Sequence, residues 1–477
     1  MNVIFLLLFL FFFSNCNNSR INCVLKCAGE NALELEKVLI HYQDSSLKLE
    51  AAKFLIENMM EKSSIEYFFI DSLQRQVSLD TLSFKDMSLF EAYLRRGHFV
   101  QKKTLPDVQC ITADYLIENI DLAFEARKRY PWCAQLSFSE FCRKVLPYRI
   151  GQEPLDRWRS KYFKQYRQLA DSLAAHKVQM EDVVFWINKL SNKKYIHEMS
   201  CYSGNMSVDV IEHYGGGTCT DLALNAVQVM RSIGIPLNLD IIPYHGKVNG
   251  GHAYNSFIDS KGRFTYFSPY ERRPERKKWI APLVQRVNYE YNQMNIPQRQ
   301  WNKLLTSPTL ENVTSQYFHV TDIKVPATYL ATFNRGHFNI IAQSTVHNGE
   351  TVFSQITCGL LYFPFNEKNG KLVATSNPFI LNGFGEVCYI TIKEEPIQII
   401  NIGLYDVKRK IKLENSVYKL YYWNNDWIKI SEALPKDSVT INFGEIDRKG
   451  LFLIRGKNFM EKMQRPFIVG DKGVEFY

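Results

Sequence analysis

A chain of 477 residues with 46% hydrophobic content has room for roughly three domains, each with a sizeable core. Its net charge of +9 is modest at this length, and no long Lys/Arg run interleaves with aromatics, so nucleic acid is excluded as an expected partner. Aromatic residues make up 14%, which fits compact β structure or glycan-facing surfaces, with core packing the default.

Residues Val3 to Phe13 form an unbroken apolar run. That is too short to span a bilayer and suits the h-region of a secretory signal, which sets residues 1–15 apart as a signal peptide. The following Phe13-Ser14-Asn15-Cys16 resembles a lipobox, in which Cys16 would carry a lipid and become the mature N-terminus. The expectation is an exported protein whose membrane attachment runs through that lipid, because no later stretch is long and apolar enough to cross a bilayer. Ten cysteines in an exported chain invite disulfides. Apart from Cys16 and Cys219 they show no metal-site spacing, and buried free thiols or occasional bridges are expected.

The region 16–189 reads as helical. Leu33, Leu35, Val38, Leu39 and Tyr42 recur at three- and four-residue intervals, as do Leu47, Ala51, Phe54, Leu55 and Met59. A further helix begins near Asp114 and ends by Tyr130-Pro131, where proline stops it. Between Phe138 and Arg159 an Arg, a Glu and several aromatics leave two readings open: a substrate-facing wall, or a structural loop clamped by Arg149 and Glu153 against the next domain. From about Ser315 the pattern turns to strands. Asn348-Gly349 and Asn369-Gly370 are hairpin-turn dipeptides, and the segments around Tyr418–Trp423 and Trp427–Ile430 form a hairpin about Asn424-Asn425. Two β-sandwich-like domains, 313–395 and 396–477, are expected.

The chemistry concentrates in the segment 190–312. Gly215-Gly216-Gly217-Thr218-Cys219 precedes a stripe of Leu222, Leu224, Val227 and Met230, closed by Gly234-Ile235-Pro236. Cys219 therefore stands in the first turn of a helix, where the dipole and free N–H groups favour thiolate. The glycines leave room for a substrate backbone, and the Cys219 N–H is a natural oxyanion donor. His252 opens a strand through Ile258. After the turn Asp259-Ser260-Lys261-Gly262 the return strand runs to Ser268, so that His252 faces residue 268, 269 or 270. A nucleophile and base need a third polar group there. Ser268 is the candidate, with Glu271 just beyond, and serine carries no charge to stabilise an imidazolium. His213 and His245 flank the site but complete no metal set, and the cluster Arg272, Arg273, Arg276, Lys277 and Lys278 reads as a solvated loop.

Gly217-Thr218-Cys219, Gly234-Ile235-Pro236, Gly251-His252-Ala253-Tyr254-Asn255 and Phe267-Ser268-Pro269 resemble the core of the transglutaminase-like superfamily, with its Cys-His-Asp triad on a papain-like scaffold. Leu35–Leu39, Leu47–Met59 and Val145–Arg149 resemble exported transglutaminase-like proteins of Bacteroidota bacteria. The resemblance implies a multidomain α+β chain: a helical N-terminal region, a transglutaminase-like core and a C-terminal all-β part. It implies Cys219 as nucleophile, His252 as general base and acid, and Ser268 at the position of the acidic third member. Gly217, Gly251 and Tyr254 would line the substrate. The implied reaction is acyl transfer from a peptide, protein or glycopeptide amide through a thioester, without cofactor or metal, in the periplasm or at the outer membrane. The alternative is an inactive scaffold that binds peptide or glycan at the cell surface.

Overall fold

The computed structural model describes residues 18–196, 206–269, 280–292, 301–391, 393–399, 402–403, 413–456, 465–470 and 473–477. The expected signal segment, Cys16, Cys201, Glu271 and the basic cluster 272–278 lie outside the described residues. Helices dominate the N-terminal part and strands the C-terminal half. Among the described residues no helix is long and apolar enough to cross a membrane. The chain divides into two compact units. One holds residues 1–240, 253–275 and 287–291, the other 241–252, 276–286 and 292–477.

In the first unit the amphipathic stripes form helices where the spacing predicts them. Ala32–His41 buries Leu35 and Val38, and Ser46–Glu57 buries Ala51, Ala52, Leu55 and Ile56. Leu33 and Leu47, counted into the same stripes, stay exposed. The helix Ala113–Arg129 starts at an N-cap Thr112 that accepts from Tyr115 N–H, and it stops before Pro131. The region is not helical throughout. Strands Gln76–Val77, Ser63–Ile70 and Phe99–Pro106 form an antiparallel sheet in that order. Its aromatic run Tyr67-Phe68-Phe69 is a β signal. Phe69 packs there with Met87, Phe90, Met206 and Ile211.

Of the two readings of the 138–159 segment, the structure supports a clamp, but one internal to this unit. Buried Arg149 donates to both oxygens of buried Asp107, to the Glu153 carbonyl and to Ser64 Oγ (2.9 Å). The Glu153 carboxylate accepts instead from the N–H groups of Ile150 (2.9 Å) and Gly151 (2.7 Å). A guanidinium enclosed in this way faces no substrate. Its charge is compensated by the Asp107 carboxylate, which holds Arg149 protonated against the cost of burial.

In the second unit the hairpin turns form as expected. Asn348 and Gly349 (φ 52° and 80°) and Asn369 and Gly370 (φ 52° and 72°) take the left-handed conformations of a type I′ turn. Strands His337–Gln343, Tyr329–Asn334, Leu360–Lys368, Phe379–Leu381 and Val387–Tyr389 follow one another in a sheet. A five-stranded sheet runs Trp427–Ala433, Tyr418–Trp423, Phe452–Gly456, Phe467–Gly470 and Gly473–Phe476. A single apolar cluster joins the two strand sets, bringing Phe333 and Phe363 together with Trp423 and Leu453. The Trp423 ring meets Phe338 and Phe363 edge-on, at 5.5 and 5.1 Å. This tryptophan is core, not a glycan platform.

Arg149→Met leaves the buried Asp107 carboxylate uncompensated and should lower stability by about 3–5 kcal/mol. Adding Asp107→Leu should recover most of that loss. Urea midpoints of the three proteins check both statements.

Candidate functional site

The helix Cys219–Ser232 begins where the sequence places it. Thr218 is its N-cap. The Thr218 N–H (2.9 Å) and Oγ–H (2.6 Å) donate to the Asp221 carboxylate, while Asp221 N–H donates back to Thr218 Oγ1 (3.4 Å). This reciprocal capping box satisfies donors that a helix start would otherwise leave orphaned. The Thr218-Cys219-Thr220-Asp221 spacing is its sequence signal, and it holds Cys219 at the first helical position. At the other end Ile235 N–H reaches back to the Met230 carbonyl (2.9 Å), with Gly234 at φ 80°.

The three glycines ahead of Cys219 serve the chain's own packing. Gly215 (φ 62°) caps the preceding helix Val208–Tyr214. Gly216 and Gly217 pair in parallel with Lys194–Tyr195, and a Cβ at Gly216 would stand 2.1 Å from the Lys194 carbonyl. At Gly217 it would stand 2.7 Å from Asp221 Cβ. The close approach inferred for a substrate backbone is filled by segment 194–196 and by the capping aspartate. Tyr254 is buried with its ring edge-on to Tyr266 at 5.6 Å, so its visible role is packing too. Gly251 lies against the carbonyls of Ile242 (2.5 Å) and Pro243 (2.7 Å) as a Cβ would meet them.

His252–Ile258 and Phe264–Phe267 pair antiparallel, with Asn255 opposite Phe267 and Ile258 opposite Phe264. Asp259 N–H bonds to the Arg263 carbonyl (2.9 Å), which leaves a three-residue turn with Gly262 at φ 74°. Carried on, this register sets Tyr254 against Ser268. The counterpart of His252 is then position 270, outside the described residues. Ser268 and His252 share the period-2 face but are diagonal, not opposite. Ser268 is 1% exposed. One strand over, Asn255 Nδ2 donates to the carbonyls of Ala223 (2.9 Å) in the Cys219 helix and of Asn238 (3.0 Å) in the neighbouring strand Asn238–Ile242. Asn255 closes the Gly251-His252-Ala253-Tyr254-Asn255 motif, where the sequence reading gave it no role of its own.

The Cys219 thiol is partly buried, and burial pushes its pKa up. The backbone of Ala253 and the hydroxyl and backbone of Thr220 pull the other way, while the Asp221 carboxylate adds to the rise. Desolvation wins. The sequence argument counted the helix start and had no measure of burial, so the expected thiolate is corrected to a resting thiol.

His213 is exposed, with Nε2 3.2 Å from the Phe84 carbonyl oxygen. His245 is buried, and its ring stands 6.3 Å from that of His252 at 27°. Burial, with Arg465 nearby, pushes its pKa down to about 4, so it is neutral at physiological pH. Among the described residues no three His, Cys, Asp or Glu side chains converge as a metal set. The described cysteines are free thiols, and burial pushes Cys133 and Cys142 to about 12.

Iodoacetamide labelling of Cys219 followed across pH should inflect above the ordinary thiol value of 9.0. In the urea-unfolded chain it should return to about 8.5. Because the folded value lies above the unfolded one, the contribution of this thiol to stability is present below the unfolded pKa and fades as pH rises through the folded one. An inflection below 7 would show the helix start outweighing burial. No family model matches the chain and no curated relative does, so the reading of this site rests on its own residues.

Proposed function

We infer that the chain is an exported transglutaminase-like cysteine hydrolase of the Bacteroidota type, lipid-anchored at Cys16 and acting on peptide, protein or glycopeptide amides. The observation that carries this reading is Cys219 in the first turn of a capped helix, with His252 opening a strand as the sequence places it. The Cys/Gly-Ile-Pro/Gly-His combination and the apolar N-terminal run support it from the sequence side.

With Cys219 resting as a thiol, His252 takes the proton as sulfur attacks the carbonyl carbon. The tetrahedral oxyanion is met by the Cys219 N–H. Collapse expels the amine, which leaves with the proton from His252, and a thioester remains on Cys219. Water then loses a proton to His252 as its oxygen attacks, the carboxylic acid departs, and the proton returns to sulfur. Water as acceptor makes the enzyme a protease or amidase, and an amine in its place makes it a cross-linker. Ser268 can accept a hydrogen bond but supplies no charge to hold an imidazolium.

That same serine, together with the raised thiol, favours a second reading, a catalytically silent scaffold that binds peptide or glycan. An activated p-nitrophenyl ester followed by mass spectrometry separates the two. The enzyme reading expects an acyl adduct on the Cys219 peptide, lost in Cys219→Ala and formed about 10²–10⁴-fold more slowly in His252→Ala. Ser268→Ala should cost about tenfold or less, since a neutral hydrogen bond is worth ~0.5–1.5 kcal/mol. Absence of any adduct on Cys219 would leave the scaffold.

A further inference from the structure

The segment between strand Asn238–Ile242 and His252 is a loop, and loops on protein surfaces are ordinarily the mobile parts. This one is held by side chains from far along the chain. His245 N–H closes it on the Gly250 carbonyl (2.8 Å). The buried amide of Asn334 then takes most of what remains. Its Nδ2 donates to the carbonyls of His245 (3.1 Å), Val248 (3.3 Å) and Gly250 (3.3 Å), and its Oδ1 accepts from Gly250 N–H (2.9 Å). The next residue, Arg335, donates its N–H to Asn249 Oδ1 (2.9 Å). Arg465, only 6% exposed, donates to the Gly246 and Phe333 carbonyls and to Asn249 Oδ1 (3.4 Å).

Burying a guanidinium against carbonyl groups is expensive, and an Asn spending both ends of its amide on one loop is uncommon unless the loop's shape matters. The loop has one consequence for chemistry: it delivers the backbone into His252. Gly250 sits at φ 102°, and at Gly251 a Cβ would stand 2.5 Å from the Ile242 carbonyl and 2.7 Å from that of Pro243, so the path into His252 accepts only glycine there.

We propose that Asn334 and Arg465 are positioning residues for His252: the C-terminal β region holds the base in place by gripping the 245–250 loop. The proposal rests on the reading of His252 as base, and it gives the C-terminal β region a part in holding that base.

The test uses the full-length chain, with Asn334→Ala and Arg465→Met compared with the parent. Hydrogen exchange of the peptide 244–252 should quicken at least tenfold in Asn334→Ala. The imidazole resonance of His252, assigned through His252→Gln in ¹³C-histidine-labelled protein, should shift in both variants. Acylation of Cys219 by the activated ester should fall by about 10²-fold, the cost of a small misplacement of a catalytic group. Cys219 alkylation by iodoacetamide should stay within twofold and show that the helix is intact. Unchanged exchange and an unmoved His252 resonance would overturn the proposal whatever the activity. So would a shifted His252 with full acylation. A parent chain that forms no acyl adduct, yet shows the exchange and resonance changes, would sink the enzymatic reading and leave the grip on His252 standing.

Discussion

The Asn255 side chain is the joint on which the candidate site depends. Fully buried, it donates at once to the Ala223 carbonyl in the first turns of the Cys219 helix and to the Asn238 carbonyl in the neighbouring strand. A helix packed on a sheet by apolar contacts alone can slide, because those contacts are non-directional. A buried amide with two defined acceptors cannot shift without leaving a donor unpaired, at a cost of about 1–3 kcal/mol. The Asn255 amide therefore sets the height of the Cys219 helix along strand 252–258.

Around that joint the electrostatics favour neutral groups over charged ones. The Cys219 thiol is held up by burial and by the nearby Asp221 carboxylate, and Asp221 is itself pushed up by burial, although its Oδ2 accepts from the Thr218 N–H and hydroxyl. His245, buried with its ring 6.3 Å from that of His252, is neutral as well.

Local signals in the sequence were legible. Helix starts and stops, the Asn-Gly hairpins and the Cys and His segments all fall where spacing and turn chemistry put them, because each is decided within a few residues. The aromatic strand Ser63–Ile70 was hidden by the strongly periodic helices on either side, although Tyr67-Phe68-Phe69 carries a β signal. Arg149 was legible as a clamp residue but not its partner, since Asp107 lies 42 positions away.

What the sequence determined alone is the inventory of the site: a cysteine opening a helix, a histidine opening a strand, and a serine after the return strand. Tertiary structure decided what those residues experience. It filled the glycine approach with segment 194–196 and Asp221. It set the hairpin register, with Asn255 against Phe267, through a three-residue turn. It raised the Cys219 thiol by burial and tied the loop before His252 to Asn334 and Arg465. Each of these depends on desolvation or on hydrogen bonds between positions far apart in the chain. Neither leaves a periodic trace in the residues themselves.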